Sequence, residues 1–472
     1  MSAQPPSTTA DLTTDQSEQA DRWSLVVAAG LLSFVAMLDM NVVNLALTDI
    51  SAGLHVSPGV AQWAVLGYQL PLVALLLPAG RWLDQVGTRS ALLLAVGCFA
   101  GCSVLAALAP WAGWLIAARL LQGAFGAVLF VLMPVLAATS VRPELRGRAM
   151  SVPATLGPLG AVTGPVVGGL LLDHLGWRAV FLVKLPVCLA AVLIVRRDAP
   201  RRGGLRPPDR RSLGDATLIG AAVAAVLLAL TLAPRAPQWL LLALPAVPLA
   251  LLWLRRPGGR PVAEVLRAAG TAGVNASVLA LAAGFAACQY LLVQHLRGPL
   301  GESATTTALT MLAFPLGMVL AGRLGGRLAD RWGARPTALT GAAVTTVGLA
   351  LLVPVGADWS APGIAARLAV AGAGMGLNGG PTQALVMSAS PPAKLATAGS
   401  TVQLARSLGF ALGPALATAA ALAGDRATTG TRSGIALAAA VAATAVLLLA
   451  LHRRPQTAAA APVSAPPEEV HP

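Results

Sequence analysis

The sequence predicts an all-α polytopic membrane protein: two pseudo-symmetric six-helix bundles plus two extra central transmembrane helices, fourteen spans in all. Three observations predict it. The chain is 56% apolar and only 11% charged over 472 residues, about half the ~25% charge of a soluble domain. It divides into many apolar runs near the ~20 residues that cross a hydrocarbon core. It also repeats itself. GRWLDQVGTR at Gly80–Arg89 returns at Gly326–Arg335, where Gly80, Arg81, Asp84, Gly87 and Arg89 find partners in Gly326, Arg327, Asp330, Gly333 and Arg335 at an offset of 246 residues. IAARL at Ile116–Leu120 returns at Ile364–Leu368, an offset of 248, each copy with a tryptophan (Trp111, Trp359) eight residues before its arginine. Repeats at one spacing mark a duplicated unit, and duplicated sets of spans are the mark of a secondary transporter.

Taken in order, the spans read 24–47, 59–79, 90–108, 112–138, 149–172, 178–195, 214–233, 238–254, 272–295, 304–323, 336–355, 360–388, 396–422 and 433–451. The tail 1–23 is polar and acidic (Asp11, Asp15, Glu18, Asp21), without the basic start and short apolar core of a cleavable signal peptide. Residues 24–195 make the first bundle and 269–452 the second. Between them, 196–268 holds two apolar spans between basic, Pro/Gly-rich linkers (RRDAPRRGGLRPPDRR and RRPGGRP), expected as peripheral, lipid-facing additions. They explain why the repeat offset exceeds a six-span unit. The Ala/Pro-rich tail 453–472 is expected to be disordered.

Charge orients the chain. Of the 33 Lys and Arg residues, 24 fall in segments on the side of the N-terminus, five on the opposite side, and four (Arg119, Lys184, Arg367, Arg406) inside spans. The positive-inside rule then puts both termini in the cytoplasm, the chain being a multi-pass protein of the cytoplasmic membrane. The net charge of +14 is spread between spans rather than over one soluble face, which argues against nucleic acid as a partner. The four cysteines (Cys98, Cys102, Cys188, Cys288) sit in apolar runs and read as small apolar filler, with no disulfide framework or metal site. The five histidines lie at span ends or outside, and no nucleophile–base pair or phosphate-binding loop lies in the spans, so an enzyme is not expected.

Five local patterns follow one another along the first half. Leu38-Asp39-Met40-Asn41-Val42-Val43-Asn44 ends span 1, and Gly80–Arg89 joins spans 2 and 3. Arg119-Leu120-Leu121-Gln122-Gly123, with Gly126, lies in span 4. Gly157-Pro158-Leu159-Gly160, then Gly164-Pro165 and Gly168-Gly169, line span 5. Trp177-Arg178 with Phe181, ending in Leu185-Pro186, opens span 6. Together they resemble the major facilitator superfamily, specifically its fourteen-span drug:proton antiporter branch, from Ser24 to Leu451. The resemblance implies alternating-access export of small amphipathic drugs or antibiotics by a monomer, driven by the proton gradient with no cofactor or metal. It implies too that the span 5 motif sets the direction of transport.

Asp39 is the acidic residue well inside a span, so it is expected to face a cavity and carry function. Burial favours the protonated form of a carboxyl, which suits reversible proton binding. Asp39 and Arg119 each lie about eight residues from the outer ends of their spans, hence ~12 Å deep. A proton on Asp39 would weaken its attraction to Arg119 and so couple protonation to conformation. A static pair that fixes helix packing is the plainer reading. Asn41, Asn44, Tyr68, Gln69 and Gln122 are candidate cavity lining in the first half, and Asn378, Gln383, Gln403 and Arg406 in the second.

At the cytoplasmic gate, Gly80 and Gly87 allow tight turning and close helix approach. Asp84 and Asp330 are expected to pair with nearby arginines (Arg81, Arg89, Arg327, Arg331) and helix termini, as releasable latches. In span 5, Gly157, Gly160, Gly164, Gly168 and Gly169 let helices approach, and Pro158 and Pro165 bend the helix.

Two departures stand out. Lys184 occupies a position where the family usually has Asn; it either snorkels outward along its own stem or faces the cavity and adds positive charge. The second half supplies no embedded acid, so within the spans one carboxylate faces four basic groups. That points to a neutral, zwitterionic or anionic amphipathic substrate rather than a strong cation. The rival function is uptake by proton symport or facilitated diffusion, and the span 5 glycine-proline pattern argues against it.

Overall fold

The structure is a computed structural model that describes residues 21–451 except 202, 208–209, 233–235, 269, 299, 357–358 and 423–426. Most of the two tails, and Arg235, Arg426, Arg453 and Arg454 of the charge count, lie outside the described residues. Among the described residues every regular element is helical. In lipid each backbone N–H and C=O needs an internal partner, and a helix supplies them all within one segment.

The first half holds α1 (Trp23–Leu45), α2 (Trp63–Ala74) with its continuation Leu76–Leu83, α3 (Thr88–Ala107), α4 (Ala112–Thr139), α5 (Arg146–Leu175) and α6 (Leu185–Asp198). Then come α7 (Arg210–Leu232) and α8 (Ala246–Arg255). The second half holds α9 (Thr271–Arg297), α10 (Ala304–Trp332), α11 (Ala334–Ala350), α12 (Ala361–Ser388), α13 (Leu395–Leu422) and α14 (Ala427–Leu451). α2 bends by 49° at Leu75 before it continues; Pro78 in the continuation lacks the N–H that would bond the Ala74 carbonyl, and its ring crowds that carbonyl.

Among the described residues ten segments are long and apolar enough to cross a membrane, or eleven if the bent pair is one span; two of them join α6 and α8 to the short pieces before them, as Ala179–Asp198 and Gln238–Arg255. α11 stops at 17 residues. α12 and α13, at 28 residues each, are long enough, but glycine, hydroxyl residues and one arginine apiece dilute their apolarity.

The duplication is visible in the packing. A Cβ on Gly123 of α4 would fall on the Tyr68 carbonyl of α2, and one on Gly372 of α12 would fall on the Phe314 carbonyl of α10. Gly160 of α5 stands in the same way against Phe34 of α1, and Gly409 of α13 against Leu279 of α9. Without a hydrophobic force between helices in lipid, such close backbone approaches supply the packing energy. The span 5 motif thus becomes the α1–α5 seam, with Gly157 on Ser33, Gly164 on Asn41 and Gly168 on Leu45. Gly169 has nothing within 4 Å of a would-be Cβ and takes no part in the seam. The side chain of Pro165 lies outside the described set.

The halves meet at the end that carries the repeated decapeptides. Gly322 and Gly326 of α10 lie against Thr155 and Ser151 of α5, and Gly80 lies against Ser400 of α13. The two extra helices differ from expectation in one respect. α8 is peripheral, but α7 packs on both α2 and α13 and so bridges the halves. Asp215, inside the expected span 214–233, sits 3.9 Å from Arg81 and 3.8 Å from Arg256, which ties that end of α7 to the first half.

Candidate functional site

Arg119, Gln122, Gly123 and Gly126 stand at helical spacings of three and four residues on one face of α4. The two glycines let α2 come close enough to lay Tyr68 on that face. Asp39 comes from the buried face of α1. Lys184 stands in the break between the short helix Ala179–Leu182 and α6, where Pro186 occupies the first turn.

These residues form one sealed cluster. Arg119 Nη1 donates to Asp39 Oδ2 at 2.8 Å and to Gln122 Oε1 at 2.6 Å, while Nε donates to the Ala64 carbonyl at 2.6 Å. Gln122 Nε2 donates to Ser103 Oγ at 2.8 Å, and Ser103 donates to the Phe99 carbonyl at 2.9 Å. Lys184 Nζ donates to the other carboxylate oxygen, Asp39 Oδ1. The charged side chains of all three are 0% exposed. Aromatic faces close the site: Tyr68 lies 4.4 Å from the Arg119 guanidinium, and Phe99 and Phe181 lie 5.4 and 5.5 Å from Lys184 Nζ. Tyr68 Oη and Arg119 Nη2 are buried with no hydrogen-bond partner among the described residues.

Of the two expectations for Lys184, the outward-snorkelling one fails: the side chain turns inward to Asp39. α6 packs on α1 and α3 instead of standing at the rim, so the lysine stem has protein rather than lipid beside it. Magnitudes make the cluster unusual. Each ring contact is worth ~0.5–2 kcal/mol, whereas taking one ion out of water costs several kcal/mol. The rings therefore do not compensate a second cation opposite a single carboxylate.

The other candidates divide. Asn41 is half-buried and donates to its own helix at Met37, and Asn44 is exposed near the helix end. Gln69, Gln403 and Arg406 are half-buried, and among the described residues no hydrogen bond or ion pair is seen for them. Asn378 is buried between α11 and α12, where Nδ2 donates to the Ala338 carbonyl at 2.8 Å. Gln383 is buried with Nε2 unpartnered, close to Gly399 of α13.

At the opposite level, the two repeated aspartates bind helix N-termini across the seam between halves. Asp84 accepts from the backbone N–H of Ala396 and Thr397 at 2.9 and 3.0 Å and from Thr397 Oγ1 at 2.5 Å, at the start of α13. Asp330 faces the backbone N–H groups of Arg148 and Gly147 at the start of α5. Unpaired N–H groups and the dipole make a helix start a good seat for a carboxylate. Burial pushes the Asp84 carboxyl up, against the lowering effect of its Thr397 and Ala396 hydrogen bonds. The expected arginine partners do not form ion pairs with these acids: Arg81 turns to Asp215, Arg89 donates to the Arg196 carbonyl at 2.8 Å, and Arg327 and Arg331 are exposed. A backbone seat needs no side-chain entropy, so it outcompetes a long flexible cation.

The 246-residue offset takes Asp39 to Phe285 and Tyr68 to Phe314. Those two rings stack at 3.6 Å. Arg367, the partner of Arg119 in the repeat, bonds its own helix at Gly363 and covers the Trp359 ring at 4.1 Å. The second half keeps the packing and has lost the charge cluster. Composition singles out Asp39 and Arg119, but Ser103, Phe99 and Phe181 carry no distinguishing signal beyond being small or apolar, and Lys184 shows only as a departure from pattern.

A duplicated helical membrane protein, latched across its halves at one end and carrying a sealed ionisable cluster in one half, is a membrane transporter. The sequence matches the Major Facilitator Superfamily over residues 29–287 and 274–471, and the chain belongs to that family. It is similar to the drug efflux pump JefA of Mycobacterium tuberculosis, at 30% identity over 402 residues, 83% of this chain and 78% of that one. It is similar also to the methyl viologen resistance protein SmvA of Salmonella typhimurium, at 29% identity over 414 residues, 84% of this chain and 81% of that one. Among solved structures, the proton:xylose symporter XylE shares the fold with a TM-score of 0.65 at 15% identity, over 90% of this chain and 94% of that one.

Proposed function

We propose that the chain is a fourteen-span, proton-coupled antiporter that exports small amphipathic drugs or antibiotics across the cytoplasmic membrane by alternating access. Both termini and both latches face the cytoplasm, as the distribution of basic residues argues. The observation that carries the reading is the buried Asp39–Arg119 contact of 2.8 Å, confined to one half of a duplicated fold. A static packing pair would have little reason to be drawn from polar residues on four helices, with two donors left unsatisfied. The similarity to an efflux pump and a resistance protein supports export as the direction.

In this reading the halves, 24–195 and 269–452, rock about a central site, with α7 and α8 carried along. The present geometry, latched at the decapeptide end, is the outward-facing state. Substrate enters from the cytoplasm or inner leaflet and leaves outward. A proton then enters from outside onto Asp39, weakens its hold on Arg119 and permits the return. Gln69, Gln403 and Arg406 contact cargo between the halves. No cofactor takes part, and the monomer suffices. A drug-susceptibility panel in a pump-deficient host, with and without a protonophore, tests it: resistance conferred by the chain and abolished by the protonophore is the expected result. Resistance that survives collapse of the proton gradient overturns proton coupling.

A further inference from the structure

Where the exchanged proton rests is a separate question, and its answer depends on the cluster being the coupling site. The sealed cluster holds one carboxylate, Asp39, and two basic groups, Arg119 and Lys184, all without solvent contact. If both basic groups are charged, one positive charge is uncompensated in a space closed by Tyr68, Phe99 and Phe181. Protonating Asp39 there makes matters worse, because two cations would then face a neutral acid. Arg119 offers no relief, since a guanidinium does not give up its proton in proteins. Lys184 does offer it, because an ammonium loses its proton readily when buried.

Hydrogen bonding points the same way. An ammonium presents three donors, and the acceptor at Lys184 Nζ is the single oxygen Asp39 Oδ1. The remaining neighbours are ring faces, Arg119 of α4, the Cys102 thiol of α3 and Cys188 of its own helix. Tyr68 of α2 lies on the Arg119 side of the cluster. None of these supplies a second anion. A neutral amine leaves fewer donors unmatched and restores charge balance.

We propose that Lys184 stores the exchanged proton and is a neutral amine in this latched, sealed state. A proton arriving from outside makes Asp39 a carboxylic acid. Its O–H bond then breaks as an N–H bond forms on the touching Lys184 Nζ, which leaves a carboxylate and an ammonium. The cluster now holds one cation too many for a sealed site, and opening toward the cytoplasm relieves it by hydrating Lys184; as the site reseals, desolvation again favours the amine, the N–H bond breaks and the proton passes to cytoplasmic water. Asp39 is the relay, Arg119 the fixed cation and Lys184 the reservoir.

The chain has two lysines, Lys184 and Lys394, so the protonation state can be read directly. In protein labelled biosynthetically with 13C-lysine and held in lipid nanodiscs, two Cε resonances are expected. Lys394→Arg identifies one of them. The Lys184 resonance should pass from the amine to the ammonium position as the pH falls from about 9 to about 5, a range in which an exposed lysine stays an ammonium; Lys394 should not move. An ammonium resonance for Lys184 across the whole range overturns the proposal, and so does an amine resonance across it. Asp39→Asn separates the two levels. If that variant still exports on a proton gradient, the coupling reading itself falls; if it does not, and Lys184 stays an ammonium, the reservoir role alone falls.

Discussion

Removing one charge from a sealed cluster leaves the others uncompensated, and the cost of that is large. Asp39→Ala strands the Arg119 cation and should cost about 3–5 kcal/mol of stability, seen as a lower unfolding temperature in detergent. Joining Asp39→Ala to Arg119→Leu removes the stranded cation together with its partner and should recover most of that loss. An Asp39→Ala variant as stable as the parent would show that the cluster is not sealed. The duplicated arginines should part company. Arg119→Leu breaks contacts to Asp39, Gln122 and Ala64 and should abolish export, whereas Arg367→Leu loses a bond within its own helix and should leave drug resistance intact. At this scale Asp39 and Arg119 are legible in the sequence, because a charge in an apolar run stands out whatever surrounds it. Lys184 is not legible. Whether a lysine near a span end reaches water or turns inward depends on how its helix packs, and the break before Pro186 decides that.

Helix contacts carry their own tests. Gly123→Val would drive a side chain into the Tyr68 carbonyl and should cost about 1–3 kcal/mol by overpacking. Gly169→Ala meets nothing within 4 Å and should melt with the parent. Equal melting of the two variants would contradict the close α2–α4 approach. The latches act as helix caps, each worth about 0.5–2 kcal/mol. Asp84→Ala and Asp330→Ala should therefore each shift the balance toward the unlatched state by about 2- to 30-fold, and a spectroscopic distance between α5 and α10 at that end should lengthen. An unchanged distance distribution in the double variant would remove the latch. Helix positions are readable in advance because period and apolarity act locally. Two features are not: the seat of Asp84 and Asp330 on helix N-termini, and the place of α7 across both halves. Each depends on what the opposite half presents, which no local pattern records.

Across the whole molecule, duplication and asymmetry divide the labour. Gly123 on Tyr68 and Gly372 on Phe314 show that both halves keep one packing scheme. The offset that relates them turns Asp39 into Phe285, and the charge cluster of one half into an aromatic stack in the other. The repeat is visible in the sequence from two short motifs. The loss of the second cluster is legible too, as the absence of any acid within the spans of the second half. The proposed proton coupling therefore belongs to one half, while closure is read at the seam where α5 meets α10 and Leu76–Leu83 meets α13. The most direct measurement is export of a drug found in the susceptibility panel, followed in proteoliposomes under an imposed pH gradient, for the parent and for Asp39→Asn. The account predicts that the parent concentrates the drug against its gradient while the variant, folded and able to bind it, lets it only equilibrate. Uphill export by Asp39→Asn at the parent rate would contradict it.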